Sequence, residues 1–394
     1  MNDIRIKSTI LTAVALLAAV LVACASPTIA PATVTTVPQP IAAPSVATET
    51  TGGAGLLADD ETATLGSLKR VDDYPLYTMH YVGAYRRASA PLELSIRPAH
   101  QEQDDNDRSE ELSPVTRHPS ASLRTGSSPV TLPWGCSLFA AFADTGNMLY
   151  GRNFDWDYSP ALLLFTSPPN GYASVSMVDI AFLGFDGARA KAIADLPLAE
   201  RRALLNATTL PFDGMNERGL VVGMAAVPPG DMRRDPSKRT IGSLGVIRAI
   251  LDRASSVDEA VSIFQGYNID FTGGPPIHYL IADRAGRAVL VEFYRGEMVV
   301  MPNTTAWHLA TNFLRASVGE SAQGACWRYD ALSARLAETR GRLATQDALA
   351  LLARVAQPGT QWSIVYGIST GEIVVTMGRQ YDNVHKFDLK FTGR

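Results

Sequence analysis

The sequence predicts an α+β protein in which antiparallel sheets pack together and helices lie outside them. From residue 136 onward, apolar runs of strand length alternate with amphipathic helical segments, and many strand pairs are joined by short turns. With 394 residues and 46% hydrophobic content, the chain can bury a large core. Its net charge of −4, with basic residues scattered among acids, excludes a nucleic-acid-binding protein.

Residues 1–23 have the features of a signal peptide. Basic residues precede an apolar run from Ile10 to Ala23, which is too short to serve as a stable membrane anchor. The run closes with Leu21-Val22-Ala23-Cys24, which resembles the lipobox of bacterial lipoproteins. We therefore expect an extracytoplasmic protein that lipid on Cys24 anchors to a bacterial membrane, or that is secreted after processing. The alternative is an ordinary signal peptide with an incidental cysteine.

Two segments are predicted between this peptide and the main domain. Residues 24–67 are rich in Pro, Ala and Thr, which predicts a tether that buries no core. Residues 68–135 are predicted to be a pro-segment. Its first part, Leu68 to Leu94, alternates polar and apolar residues like short strands and should pack on another element. Its later part, Arg97 to Pro129, is polar and predicts a flexible loop.

Residues 136–394 are the main predicted domain. A capping box at Ser256-x-x-Glu259 predicts the start of a helix over Val257–Phe264. The other predicted helices cover Leu196–Asn206, Ile241–Arg253, Cys326–Thr339 and Thr345–Ala356. Strands are predicted at Ser137–Phe142, Met148–Asn153, Leu162–Phe165, Ala173–Phe182, Leu220–Val227, His278–Ala282, Ala288–Tyr294, Glu297–Met301, His308–Asn312, Trp362–Ile368, Glu372–Met377 and Val384–Phe391.

The candidate chemistry lies at Gly135-Cys136, with Gly151-Arg152-Asn153-Phe154-Asp155 one hairpin later. A thiol attacks a carbonyl only as thiolate, so it needs a base. If the Gly135–Cys136 bond is cut, Cys136 gains an α-amine that titrates near ~8 and can accept the thiol proton. Arg152 would favour the thiolate by opposite charge, and Asp155 could orient the amine by a hydrogen bond. These residues predict a cysteine nucleophile that attacks an amide.

From Cys136 to its C-terminus the chain resembles the choloylglycine hydrolase and penicillin V acylase family, which are linear amide hydrolases of the N-terminal-nucleophile superfamily. The opening signature at Cys136 and Gly151–Asp155 carries the resemblance. Further matches are the segment Asp213–Leu220, the meander ending in Thr311-Asn312, and Cys326–Tyr329, where the family has an arginine. The resemblance implies a four-layer αββα sandwich of the N-terminal-nucleophile hydrolase type, preceded by signal peptide, linker and pro-segment.

The resemblance also implies a role for individual residues. Cys136 would be the nucleophile, released when the chain cleaves itself after Gly135. Arg152 and Arg328 would support the thiolate and the amine. Asp155 would orient the amine, and Asn312 would donate to the oxyanion.

One position departs from the family pattern. Ala226 stands where bile salt hydrolases have Asn and penicillin V acylases have Tyr, so only its backbone N–H could serve the oxyanion. The expected substrate is therefore a small N-acyl amide of unspecified kind. We expect no cofactor and no metal, because the six histidines show no ligand spacing.

Two other functions stay open at this point. An acyltransferase of the same fold would pass the acyl group to an amine instead of water. A binding lipoprotein without catalytic activity would instead have a disulfide between Cys136 and Cys326, since oxidising compartments favour such bonds.

Overall fold

The structure is a computed structural model that describes residues 57–85, 135–230, 232–318 and 321–392. The predicted signal peptide, Cys24, most of the predicted tether and the predicted flexible loop lie outside these residues. In the described part of the chain, no helix has the length and apolar character needed to cross a membrane.

The described residues form a mixed α+β structure. Its α-helices are α1 (Asp59–Gly66), α2 (Gly187–Ala192), α3 (Ser243–Arg253), α4 (Val257–Gln265), α5 (Trp327–Glu338) and α6 (Thr345–Arg354). Its strands are β1 (Lys69–Asp72), β2 (Leu76–Tyr81), β3 (Gly135–Ala141), β4 (Leu149–Asp155), β5 (Ala161–Thr166), β6 (Ser174–Asp179), β7 (Asp213–Asn216), β8 (Val221–Ala226), β9 (Arg239–Gly242), β10 (Tyr267–Asp270), β11 (Ile277–Ala282), β12 (Ala288–Tyr294), β13 (Glu297–Pro302), β14 (Trp307–Ala310), β15 (Thr360–Gly367), β16 (Glu372–Met377) and β17 (His385–Asp388).

Two large sheets contain most of these strands. The nine-stranded sheet has the order β1-β2-β5-β6-β7-β8-β11-β12-β13, and its one parallel pair is β2 with β5. The six-stranded sheet has the order β14-β3-β4-β15-β16-β17 and is antiparallel throughout. A two-stranded parallel sheet joins β9 and β10. The predicted antiparallel pairing is therefore confirmed for most of the strands.

The two large sheets face each other across β3 and β8. Gly223 in β8 permits this approach, because a Cβ there would lie 2.6 Å from the Tyr150 hydroxyl and 3.0 Å from a Leu138 methyl group. Alternation along β3 directs Cys136 and Leu138 to one face, while Phe139 on the other face packs with Leu332 of α5 and Leu352 of α6. Helices α3 and α4 contact the nine-stranded sheet, and α5 and α6 contact the six-stranded sheet.

The described residues 57–85 contribute strands β1 and β2 to the nine-stranded sheet. Strand β2 pairs with β5 over six residues, from Leu76 beside Ala161 to Tyr81 beside Thr166. Leu65, Leu76, Tyr77 and Met79 are fully buried. Helix α1 lies inside the range 24–67 predicted as a tether, and the burial of Leu65 in the core explains why this end of the range is ordered.

Several element boundaries differ from the predictions. The predicted helix at Leu196–Asn206 is a 3₁₀-helix over Leu198–Thr209. The predicted strand at Ala173–Phe182 ends at Asp179, whose carboxylate accepts a hydrogen bond from the Ala181 amide and starts a 3₁₀ turn. The helix start at Ser256 is confirmed, because its hydroxyl accepts a hydrogen bond from the Glu259 amide. The Glu259 carboxylate accepts from the Ser255 amide.

Candidate active site

Cys136 is the second residue of β3 and directly follows Gly135. Its side chain is buried, with 4% of the residue exposed. The Cys136 amide donates a hydrogen bond to Asn312 Oδ1 at 2.6 Å, and Arg152 Nη2 lies 3.7 Å from the sulfur. The sheet register explains both contacts, because β4 places Arg152 next to β3 on one side and β14 leads into Asn312 on the other.

Arg152 is fully buried and makes contacts with several groups besides the sulfur. Its Nη1 donates to the Phe212 carbonyl at 2.8 Å and forms an ion pair with Asp213, which also accepts from the Tyr366 hydroxyl. Burial opposes the charge of Arg152, but the Asp213 carboxylate raises the pKa of this guanidinium above its usual value. A permanent positive charge therefore lies beside the thiol.

Asn312 connects three of the predicted site groups. Its Oδ1 accepts from the Cys136 amide and from Arg328 Nη2 at 2.8 Å. Its Nδ2 donates to the Ala226 carbonyl at 2.7 Å. Since an amide nitrogen has two hydrogens, the second one is available to an oxyanion.

The backbone of Ala226 faces the same side as Asn312. The Val227 amide donates to the Pro276 carbonyl at 2.9 Å, which makes that pair a hydrogen-bonded one in the β8–β11 ladder. Hydrogen-bonded and non-hydrogen-bonded pairs alternate in an antiparallel ladder, so both backbone groups of Ala226 point away from β11. The two groups predicted to serve the oxyanion are therefore neighbours.

Arg328 lies in the first turn of α5 and contacts β3. It donates to the Cys136 carbonyl and, at 3.1 Å, to the Ser137 hydroxyl. Its Nη1 is also 3.8 Å from Asp155 Oδ2. Arg328 thus contacts the backbone of Cys136, whereas Arg152 contacts its sulfur.

Asp155 lies opposite Gly135 in the β3–β4 ladder. A Cβ on Gly135 would be 2.9 Å from Asp155 Oδ2, so the carboxylate stands beside the bond expected to be cut. Its oxygens accept from Thr360 Oγ1 at 2.5 Å and Gln357 Nε2 at 2.6 Å. The Cys136 nitrogen itself donates to Asn312 Oδ1.

Burial raises the pKa of the Cys136 thiol, and the charge of Arg152 opposes that rise only in part. The nitrogen of an uncut Cys136 is an amide, which cannot accept the thiol proton. With its nitrogen in a peptide bond, Cys136 therefore has a protonated thiol, and the Arg152 cation lies beside it.

The binding-lipoprotein alternative requires a disulfide between Cys136 and Cys326, and no metal site is expected. Cys136 and Cys326 are both unpaired; the first is buried and the second is partly exposed. The disulfide that the binding-lipoprotein alternative requires is thus not formed in this structure. Among the described residues, no group of three or more His, Cys, Asp or Glu side chains is placed to hold a metal.

Four residues that support the site were not predicted from the sequence. Asp213 pairs with Arg152, Tyr366 donates to Asp213, and Gln357 and Thr360 hold Asp155. Only Asp213 had a usable signal, because a buried arginine in a strand needs an acidic partner. The other three lie at least two hundred residues from their partners or in unremarkable strand positions, so no local pattern identifies them.

The fold and this site define an α+β protein with a buried cysteine flanked by two arginines and an asparagine. Residues 207–323 match the family model of acyl-coenzyme A:6-aminopenicillanic acid acyl-transferase. The matched range includes Asp213, Ala226 and Asn312. This match agrees with the resemblance to the choloylglycine hydrolase and penicillin V acylase family that the sequence motifs indicate.

Solved structures that resemble this chain have low sequence identity. A variant of the conjugated bile acid hydrolase from Clostridium perfringens is 16% identical, with a TM-score of 0.47 over 66% of this chain and 93% of the other. Penicillin V acylase from Agrobacterium tumefaciens is 15% identical, with a TM-score of 0.45 over 64% and 86%. An N-acylethanolamine-hydrolyzing acid amidase ortholog from Caenorhabditis elegans is 17% identical, with a TM-score of 0.41 over 59% and 93%.

Proposed function

We propose that the protein is a cysteine amidase that hydrolyses the linear amide bond of a small N-acyl compound through a thioester at Cys136. One observation carries the proposal: Arg152 contacts the sulfur while Asn312 contacts the nitrogen of the same residue. Such a site can hold a thiolate and an amine together, which are the nucleophile and the base that the reaction needs.

Self-cleavage would generate the working site. The Cys136 sulfur attacks the Gly135 carbonyl carbon, the carbon–nitrogen bond breaks, and the nitrogen takes up the thiol proton to become an α-amine. Water then hydrolyses the thioester to a Gly135 carboxylate and a free Cys136 thiol. Glycine suits this step because its lack of a Cβ leaves room beside Gln357 and Asp155.

Amide hydrolysis would follow the same path with a substrate. The α-amine accepts the thiol proton, the thiolate attacks the acyl carbon, and the oxyanion accepts hydrogen bonds from Asn312 Nδ2 and the Ala226 backbone N–H. The leaving amine departs with the proton held on the α-amine. Water then releases the acid from the thioester and restores the thiol.

The proposal is tested by trapping the acyl-enzyme. Protein expressed with its signal peptide replaced is mixed with members of an N-acyl amide panel: acyl-amino acids, acyl-homoserine lactones, N-acylethanolamines and penicillins. After acid quench, the fragment beginning at Cys136 should carry the acyl mass, and hydroxylamine should remove it. Acid release without any such adduct, on a chain that stays uncut, would rule out this mechanism.

The thiol should change reactivity when the chain is cut. In the cut species, iodoacetamide should alkylate Cys136 near neutral pH. In the uncut species the raised thiol pKa means that the rate should rise only above the ordinary value of about 8.5. Intact mass distinguishes the two species in one sample during self-cleavage, and Cys326 is the internal reference. Equal rates at Cys136 in both species at pH 7 would contradict this expectation.

Acyl transfer is the second candidate, and the description of the matched family model favours considering it. A thioester at Cys136 can react with an amine as well as with water. Adding increasing concentrations of a primary amine to the reaction separates the two: a transferase forms a new amide at the expense of free acid, while a hydrolase forms acid at an unchanged rate.

Three further features complete the proposal. We propose a four-layer αββα arrangement, which the contacts of α3 and α4 with one sheet and of α5 and α6 with the other support. We also propose an extracytoplasmic location, with lipid on Cys24 as the anchor. That anchor would hold the catalytic part only if the two pieces stay together after cleavage.

The two pieces are expected to stay bound. Strands β1 and β2 are part of the nine-stranded sheet, and each fully buried apolar side chain there contributes about 1.5–3 kcal/mol. Cut protein should therefore elute from a sizing column as one peak that gives two bands on a denaturing gel. Elution of the fragment from Cys136 onward by itself would show that the N-terminal piece is released.

A further inference from the structure

Tyr74 lies on the N-terminal side of the proposed cut and contacts the C-terminal side. It stands in the turn between β1 and β2, where its amide donates to Asp72 Oδ1 at 2.9 Å. Its ring covers Gly378, where a Cβ would be 2.6 Å from the ring. Its hydroxyl donates to Gln361 Oε1 at 2.7 Å.

The turn that presents Tyr74 is itself anchored to the C-terminal part of the chain. Asp72 is buried, and its second oxygen accepts from Asn383 Nδ2 at 3.0 Å and lies 2.6 Å from His385 Nε2. Burial raises the pKa of Tyr74, so its hydroxyl stays protonated and can donate throughout the neutral range.

Gln361 is buried, and its side chain bonds four groups. Its Oε1 accepts from the Ser159 amide at 3.0 Å and from Tyr74, and its Nε2 donates to the carbonyls of Trp156 at 2.8 Å and Gly359 at 2.9 Å. The Trp156 amide also donates to the Gly359 carbonyl at 3.0 Å. These bonds fix the backbone of residues 156 and 359 relative to each other.

Residues 156 and 359 are the chain neighbours of Asp155 and Thr360. Thr360 Oγ1 donates to Asp155 Oδ1 and accepts from the Gln357 amide at 2.8 Å. The place of the Asp155 carboxylate beside Gly135 thus depends on backbone that Gln361 holds.

We propose that Tyr74 is a positioning residue for Asp155, acting through Gln361 across the two pieces of the cleaved protein. The inference rests on the proposed function, because Asp155 matters only if Cys136 gains an α-amine. It makes the N-terminal piece part of the working site. A small displacement of a group that orients a reacting atom is enough to reduce the rate.

The test compares Tyr74→Phe with Tyr77→Phe. Both variants remove one hydroxyl from the same piece and keep the ring. Tyr77 donates to the Ala190 carbonyl at 2.7 Å, away from Asp155, and so controls for loss of a buried hydrogen bond. Cleavage and co-elution of the two pieces are verified first for the wild type and both variants.

Two readouts follow: kcat with the best N-acyl substrate, and the rate of Cys136 alkylation against pH, which needs no substrate. The charged or titratable groups around Cys136 are Asp155, Arg152, Arg328 and Tyr150. Of these groups, only the Asp155 carboxylate should change its position in Tyr74→Phe. A nearby carboxylate raises the pKa of an amine, so displacement of Asp155 should lower the pKa of the Cys136 α-amine. The acidic limbs of the kcat and alkylation profiles should then move to lower pH.

We expect Tyr74→Phe to lower kcat by about tenfold and to move the acidic limb, while Tyr77→Phe leaves the limb in place. An unmoved limb in Tyr74→Phe, with or without lower activity, would overturn the inference. Failure of the proposed function is seen separately, because the wild-type chain would then stay uncut or form no acyl-enzyme.

Discussion

Replacing Cys136 with alanine is expected to leave the chain in one piece and to reduce amide hydrolysis by at least about 10⁴-fold. Alanine has no sulfur to attack the Gly135 carbonyl, so the bond before residue 136 stays closed. Without the cut there is also no α-amine, so the base is lost together with the nucleophile. Intact mass and N-terminal sequencing measure the cut, and acid release from the best substrate measures activity.

Cys326→Ala is the matched control. It makes the same chemical change at the other described cysteine, whose side chain is not in a disulfide and makes no capping hydrogen bond at the start of α5. This variant should be cut and active like the wild type. If Cys136→Ala were still cut after Gly135, or if it retained hydrolysis, the nucleophile would have to be another residue. If Cys326→Ala lost both cleavage and hydrolysis, the Cys326 thiol would also be required, and the assignment of Cys136 alone would be wrong.

Pairing of β3 with β4 and with β14 brings three of the predicted site residues together: Cys136, Arg152 and Asn312. Cys136 and Arg152 are predicted to be neighbours from a single hairpin. The β3–β4 ladder places Arg152 opposite Leu138, two residues from Cys136, and the Arg152 side chain reaches the Cys136 sulfur. Asn312 follows β14, which pairs with the other edge of β3. The motifs lie on strands that pair with one another in an antiparallel sheet. Their positions in the sequence therefore predict which residues come into contact.

The supporting contacts could not be predicted in the same way. Tyr366 and Asp213 belong to different sheets, and Gln357 meets Asp155 across about two hundred residues. Such contacts depend on how sheets stack and on loop conformation, neither of which leaves a periodic signal. Helix α1 is a similar case. The Pro, Ala and Thr content of residues 24–67 predicts a tether, whereas the burial of Leu65 in the core makes this helix part of the fold.

Arg152→Met is expected to cause the second large effect, on both stability and reactivity. Methionine matches the length of the arginine stem but leaves the Asp213 carboxylate buried without its cation. Removing one partner of a buried ion pair costs about 3–5 kcal/mol. The thiol also loses the charge that opposes its raised pKa, so alkylation of cut protein should need a higher pH. Stability is best measured by denaturant unfolding in the uncut Cys136→Ala background, where cleavage does not interfere.

The double variant Arg152→Met with Asp213→Asn separates these two effects. Asparagine keeps the shape of Asp213 and one acceptor oxygen for the Tyr366 hydroxyl but removes the charge, so most of the lost unfolding free energy should return. Reactivity should not return, because the sulfur still has no cation beside it. A double variant that regains stability and activity together would mean that Arg152 serves the fold alone. A stable double variant with an unreactive thiol would place the Arg152 charge in the chemistry of Cys136, with Asp213 as the group that makes this charge tolerable in the core.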